Sequence, residues 1–170
     1  MSLKRIFRVG LLTTLAVALF FGWNIAAAES AVVSVNTKAL FSPAGVATVS
    51  GTFNCPGQGT MTLYGNLQQP VLRRFSINGS FSKTINCDSA SQVSWTVQII
   101  PGSGRFFFGP AVFWGTYSGY YTVRVSGYTP YPPSGNCYYY YWDYNTNSYL
   151  YQCYVSGSFG PAELKLRLRD

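Results

Sequence analysis

The densest chemistry in this sequence lies between Cys137 and Tyr154, CYYYYWDYNTNSYLYQCY, which carries eight tyrosines, Trp142 and the carboxylate of Asp143. A phenol offers an apolar ring for stacking and a hydroxyl that both donates and accepts hydrogen bonds, so such a run suits recognition of polar, ring-shaped ligands. If Cys137 bonds Cys153, the two flanks fold as a hairpin about Asn145, with Asn145-Thr146-Asn147 supplying the turn. An unbroken register then opposes Tyr139 to Tyr151 and Tyr141 to Tyr149 on one side, and Tyr140 to Leu150 and Trp142 to Ser148 on the other. The second, more apolar side is expected to pack down. The first is expected to stay wet, which makes Tyr139, Tyr141, Tyr149 and Tyr151 the candidate ligand-binding residues. The competing reading is that these rings are cross-strand partners stabilising a hairpin with little core of its own.

Catalytic chemistry is harder to assemble. The chain has no histidine, and its carboxylates are Glu29, Asp88, Asp143, Glu163 and Asp170. Glycoside hydrolysis needs two carboxylates across a cleft, and a serine or cysteine nucleophile needs a positioned base. Asp88, in Asp88-Ser89-Ala90-Ser91, and Asp143, near the hairpin tip, read as turn residues. No phosphate-binding loop, dinucleotide fingerprint or carboxylate-rich calcium loop is present. The expectation is therefore a non-enzymatic protein with no catalytic residues, no metal site and no cofactor.

The N-terminus sets the compartment. Lys4, Arg5 and Arg8 precede an uncharged stretch from Val9 to Ile25, which leads into Ala26-Ala27-Ala28. A basic region, an apolar region and a small-residue site describe a signal peptide over residues 1–28, with Glu29 starting the mature chain. An uncleaved anchor helix is the alternative, at the short end of what crosses a bilayer. The four cysteines, Cys55, Cys87, Cys137 and Cys153, all follow the leader, and an even count in an exported chain reads as two disulfides. Four cysteines allow three pairings. Their spacing and the missing histidine disfavour zinc. Losing three basic residues with the leader reduces the net charge from +7 to +4. Arg73-Arg74 and the alternating Lys165, Arg167 and Arg169 read as solvated faces, so no nucleic-acid partner is expected.

Residues 29–170 suffice for one domain with its own core. Short alternating runs broken by Gly, Pro, Ser and Asn predict an all-β chain. The predicted strands are Val32 to Asn36, Val46 to Cys55, Thr60 to Leu67, Phe75 to Cys87, Ser94 to Ile100, Ala111 to Tyr117, Tyr121 to Val125 and Leu164 to Leu168. Eight strands at this spacing suggest a sandwich. Ala47, Val49, Gly51 and Phe53 run in phase to Cys55, and Phe75, Ile77, Gly79, Phe81 and Ile85 run in phase to Cys87. Both cysteines thus point inward, which predicts a Cys55–Cys87 bridge and leaves Cys137–Cys153 for the hairpin. Trp95, Val97 and Ile99 belong to the same core. Asn78-Gly79 has the composition of a hairpin turn, but a turn there would throw Phe81 to the wrong face, so one long strand is predicted, with Gly79 at a bulge.

The order AGVATVSGTFNC, a long strand ending at Cys87, SQVSWTVQI with Trp95, FFFGPA at Phe106 to Ala111 and a final LKLRL resembles a family of small secreted bacterial domains of unknown function. The resemblance spans roughly residues 31–117 and the last strand. It implies an immunoglobulin-like antiparallel β-sandwich and export, and no activity. Trp95 follows Cys87 here, where antibody-type domains place the tryptophan between the cysteines. Residues 129–161 then form an inserted, disulfide-closed, Tyr-rich hairpin. The functional expectation is a secreted binding or adhesion module whose partner is an extracellular glycan or a cell-surface component. The alternative is a structural, self-assembling surface protein, which low charge and 18% aromatic residues also suit.

Overall fold

Alternation of apolar and polar residues dominates the chain from Ala31 onward, and most of the described residues are in strands. This computed structural model describes residues 31–72, 75–89, 91–126, 132–133 and 135–169. The leader expected over 1–28, the Arg73-Arg74 pair, and residues 129–131 and 134 of the expected insertion lie outside them. The strands are β1 (Val32–Val35), β2 (Lys38–Phe41), β3 (Ala47–Asn54), β4 (Gln58–Leu72), β5 (Phe75–Cys87), β6 (Gln92–Ile99), β7 (Gly109–Ser126), β8 (Cys137–Asp143) and β9 (Ser148–Leu168). The described residues contain no helix.

All nine strands join one open sheet in the order β1-β3-β2-β9-β7-β4-β5, with β6 on β3 and β8 on β9. The sheet is mixed, which departs from the antiparallel expectation. β2 runs parallel to the end of β9, Lys38 beside Lys165 and Phe41 beside Leu168, while β1 pairs antiparallel with Gly51–Asn54 of β3. The N-terminal segment thus serves two strands of the sheet in succession.

The sheet folds over one core. Trp95 of β6 stacks on Phe113 of β7 at 6.1 Å between ring centroids, and Phe53 of β3 meets Tyr117 edge-on at 5.6 Å, although neither β3 nor β6 pairs with β7. Phe113 also stacks on Phe81 of β5 at 5.0 Å. Tyr117 donates its hydroxyl proton to the Ala31 carbonyl at 2.8 Å, fastening the start of β1 to the middle of β7. Close approach requires Gly51 and Gly157. A Cβ on Gly51 would come within 2.6 Å of the Trp95 ring, and one on Gly157 within 2.4 Å of the Tyr117 hydroxyl.

The inward phase is as expected. Ala47, Val49, Phe53, Cys55, Phe81, Ile85, Cys87, Trp95, Val97 and Ile99 are all buried. The disulfides are Cys55–Cys87 and Cys137–Cys153. β5 passes straight through Asn78-Gly79, pairing with β4 from Cys87 to Phe75. Phe75 is the exception to its phase, 69% exposed at the sheet margin. No bulge occurs at Gly79; the irregularity in this pair lies between Pro70 and Leu72 of β4. Glycine at 79 is instead needed for close packing, since a Cβ there would lie 2.6 Å from the Ile99 side chain.

Two boundaries differ in kind from the expectation. The strands predicted at Ala111–Tyr117 and Tyr121–Val125 are one strand, β7, because Ser118-Gly119 does not turn. Gly119 pairs with both Met61 and Val155 in the middle of the sheet. The Tyr-rich segment is also continuous with the rest. Its second flank is the first part of β9, which pairs with β7 from Ser148 to Leu166 and carries the final Leu-Lys-Leu-Arg-Leu run.

Candidate functional site

The hairpin begins as the unbroken register requires, with Cys137 opposite Cys153 and Tyr139 opposite Tyr151. Between Tyr139 and Tyr141 the register then shifts. Tyr141 faces Leu150, Trp142 faces Tyr149 and Asp143 faces Ser148. One extra residue on one strand reverses the face of everything beyond it. The bulge at Tyr140 therefore separates the four candidate tyrosines. Tyr139, Tyr149 and Tyr151 stay together, with centroids 6.0 to 6.3 Å apart, and Trp142 joins them at 4.3 Å from Tyr149. Tyr141 goes to the opposite face, its ring 5.1 Å from that of Tyr140.

The expected distribution of wet and dry faces also changes. The side carrying Tyr149, Tyr151 and Cys153 is the inward phase of β9, so Tyr151 is only 1% exposed and belongs to the core. Burial raises the pKa of the Tyr151 phenol, with smaller contributions from Tyr149 and Tyr139, and burial raises that of Tyr121. Tyr139 is 55% exposed at the rim of this cluster. Tyr138, Tyr140, Tyr141 and Tyr144 are exposed as well.

A polar lock closes the hairpin tip. Asp143 accepts hydrogen bonds from the Thr146 hydroxyl at 2.7 Å, from Arg124 at 2.7 Å and from the Asn145 backbone N–H at 3.0 Å. These partners, Thr146 first, hold its carboxyl down to about 2. Asn147 completes the turn with a φ of 48°, a conformation asparagine tolerates. Asp143 is thus a structural turn residue here, and its nearest cation, Arg124, is bound to it.

The outward face of β5-β4-β7-β9 is not among the sites expected from the sequence. Reading across paired positions, Thr84, Thr62, Ser118 and Ser156 form one row, with one hydroxyl per strand. The next row toward the hairpin is Asn86, Thr60, Tyr120 and Tyr154, and the next row away from it is Ser82, Tyr64, Thr116 and Ser158. Tyr120 and Tyr154 are cross-strand neighbours with centroids 5.2 Å apart. Tyr64, with Trp114, lines a shallow cleft of about 550 Å³ floored by Gly65 and Gly115. These three rows hold no charged side chain. The signal was present in the alternate positions of TMTLYGN and VFWGTYSGYY.

A second cleft, of about 570 Å³, lies beyond that face where β2 meets β9, lined by Lys38, Phe108, Glu163, Lys165 and Arg167. The Lys165 ammonium sits 5.8 Å from the Phe108 ring centroid. Among the described residues no group of three or more His, Cys, Asp or Glu side chains could hold a metal ion. Comparison with family models, with curated proteins and with solved structures gives no match.

Proposed function

We propose that this chain is an exported, non-catalytic binding module of immunoglobulin-like architecture that recognises a glycan through exposed tyrosines. The observation that carries the reading is the concentration of Tyr138, Tyr139, Tyr140, Tyr141 and Tyr144, each at least 45% exposed, at one end of a sheet whose disulfide anchors them. Rings held on a rigid sheet stack on the apolar faces of sugars with little loss of side-chain freedom, and their hydroxyls bond the sugar's own. The immunoglobulin-like part rests on strand order. β9-β7-β4-β5 corresponds to the larger sheet of a variable-type domain, β3 with β6 to the smaller one, and β1 and β2 to a first strand divided between them. Two disulfides suit an oxidising compartment, and among the described residues no helix is long and apolar enough to cross a membrane.

A glycan array probed with the 29–170 protein tests this reading, with Tyr139→Ala/Tyr141→Ala as the comparison. Retention by one class of glycan is expected, and a flat array would remove the proposal. The second reading, self-assembly, is favoured by one observation. β8 and β2 cover only Ser148–Cys153 and Lys165–Leu168 of one edge of β9, and no described strand pairs with the edge between them. An unpaired edge can add a strand from another chain. Light scattering separates the two, since a protein that stays monomeric at high concentration cannot be an assembly unit.

A further inference from the structure

Resting on the glycan reading, we infer that the ligand is an uncharged, extended polysaccharide, and that it lies across the strands on the outward face of β5-β4-β7-β9, beside the hairpin tyrosines that carry that reading. On this face a row of small side chains runs between two sets of rings, which we treat as a trough. Its floor is the row Thr84, Thr62, Ser118 and Ser156, small residues presenting one hydroxyl per strand. One wall is the Tyr120–Tyr154 pair, both rings substantially exposed. The other wall is Tyr64, which is 49% exposed, with Trp114 beside it. From the row of Tyr120 to the row of Tyr64 is four residues along β7, roughly 13 Å at strand rise, which leaves room for a sugar ring between the walls.

The spacing of the floor sets the direction of the ligand. Neighbouring strands lie about 4.8 Å apart, close to the advance of an extended hexose chain per sugar. A chain running across the strands therefore meets a hydroxyl at every unit, whereas one running along a strand would meet the walls. The chemistry sets the class. Hydroxyls and the flanking Asn86 amide both donate and accept, as sugar hydroxyls do, and flat rings match the C–H faces of pyranoses. Charge complementarity points the same way. The three rows carry no charge, so a carboxylated or sulfated polymer would be desolvated here without a partner, while the cationic side chains Lys38, Lys165 and Arg167 lie off the trough at the β2–β9 end.

The test is a retention assay of the 29–170 protein on cellulose, chitin, mannan, xylan and starch, with polygalacturonate as the acidic control. Calorimetry with soluble oligosaccharides of the retaining polymer follows. Retention by at least one neutral polymer and not by polygalacturonate is expected. Tyr120→Ala and Trp114→Ala should each weaken it roughly tenfold, the size of one lost stacked ring. Ser156→Lys, at an exposed position that cannot disturb the core, should abolish it. Four strands accommodate about four sugar units, so affinity should rise with length up to about the tetrasaccharide and then level off. If a neutral polymer binds but only Tyr139→Ala/Tyr141→Ala weakens it, the trough is overturned and the glycan reading survives. Wild type retained by none of the neutral polymers removes both. Preference for polygalacturonate overturns the uncharged ligand. A concentration-dependent dimer dissolved by Ser156→Lys, without retention, would make a second copy the occupant and overturn the proposal.

Discussion

Asp143 shows how much one side chain sets at the hairpin tip. Thr146, Arg124 and the Asn145 N–H all donate to its carboxylate, and together they lower its pKa from the ordinary 3.8 to about 2. A folded-state pKa below the unfolded one gives stability that is present above the ordinary value and is lost as pH falls through the lower one. The tip should therefore open as pH drops from about 4 to about 2, with the Asp143 carboxyl resonance showing a midpoint near 2. Asp143→Asn should remove the tip's pH dependence in that window, and a midpoint near 4 would show that the lock does not form in solution. The turn role of Asp143 was legible from its neighbours Asn145-Thr146-Asn147. Gln69 was not. It is fully buried, and its amide donates to the Phe107 carbonyl at 2.8 Å and accepts from the Phe107 N–H at 3.0 Å, clamping the segment before β7 onto β4. Alternation with Met61, Leu63 and Leu67 turns it inward, unlike Gln68, but its partner lies 38 residues away and cannot be read from the local sequence.

Strands were legible wherever alternation continued without a break, and their limits were misread where turn-forming residues lie inside a strand. β5 was read correctly through Asn78-Gly79 because apolar phase continued on both sides. Turn-forming Ser118-Gly119 divides β7 in the sequence pattern, although Tyr117, Gly119 and Tyr121 keep one phase and pair without interruption with β4 and β9. The Tyr140 bulge had no signal at all, since four consecutive tyrosines look alike in either register. That bulge and the pairing of β9 with β7 make the two flanks of the hairpin unequal. β8 is held by β9 and the Cys137–Cys153 bond, whereas β9 is held on its other edge by β7 through Ser148–Leu166. Cys137→Ala/Cys153→Ala should accordingly speed amide exchange in β8, with lost protection worth up to about 3 kcal/mol for a loop of this length. Amides of β9 that bond β7 should keep their protection. Equal loss in both strands would mean that the hairpin opens as a unit.

Across the whole molecule, the sheet is open, and what brings its two ends together is packing, one backbone hydrogen bond and one covalent bond. Strand pairing joins β3 with β6 to β4 with β5 through β2, β9 and β7, and one backbone hydrogen bond runs directly from the Gly102 N–H, just past β6, to the Asn78 carbonyl of β5 at 2.8 Å. The short β2 contributes two paired residues to β3 and four to β9. Rings supply the direct contact, with Trp95 and Phe81 stacked on Phe113 and Phe53 against Tyr117. Cys55–Cys87 supplies the covalent one, linking the residue after β3 to the end of β5, two strands with no backbone pairing between them. Phase alone predicted this pair because both cysteines end inward-facing runs, whereas the parallel β2–β9 contact was hidden, since it needs a partner at the far end of the chain. A bond closing 32 residues between unpaired strands restricts the unfolded chain without duplicating a hydrogen-bonded contact. Cys55→Ala/Cys87→Ala should therefore lower global stability by about 2 to 5 kcal/mol, read as a shift of the urea midpoint at unchanged slope. The Cys137–Cys153 bond should remain intact in that variant. A midpoint equal to that of the parent protein would mean that ring packing and the β2 bridge hold the two ends together without the disulfide.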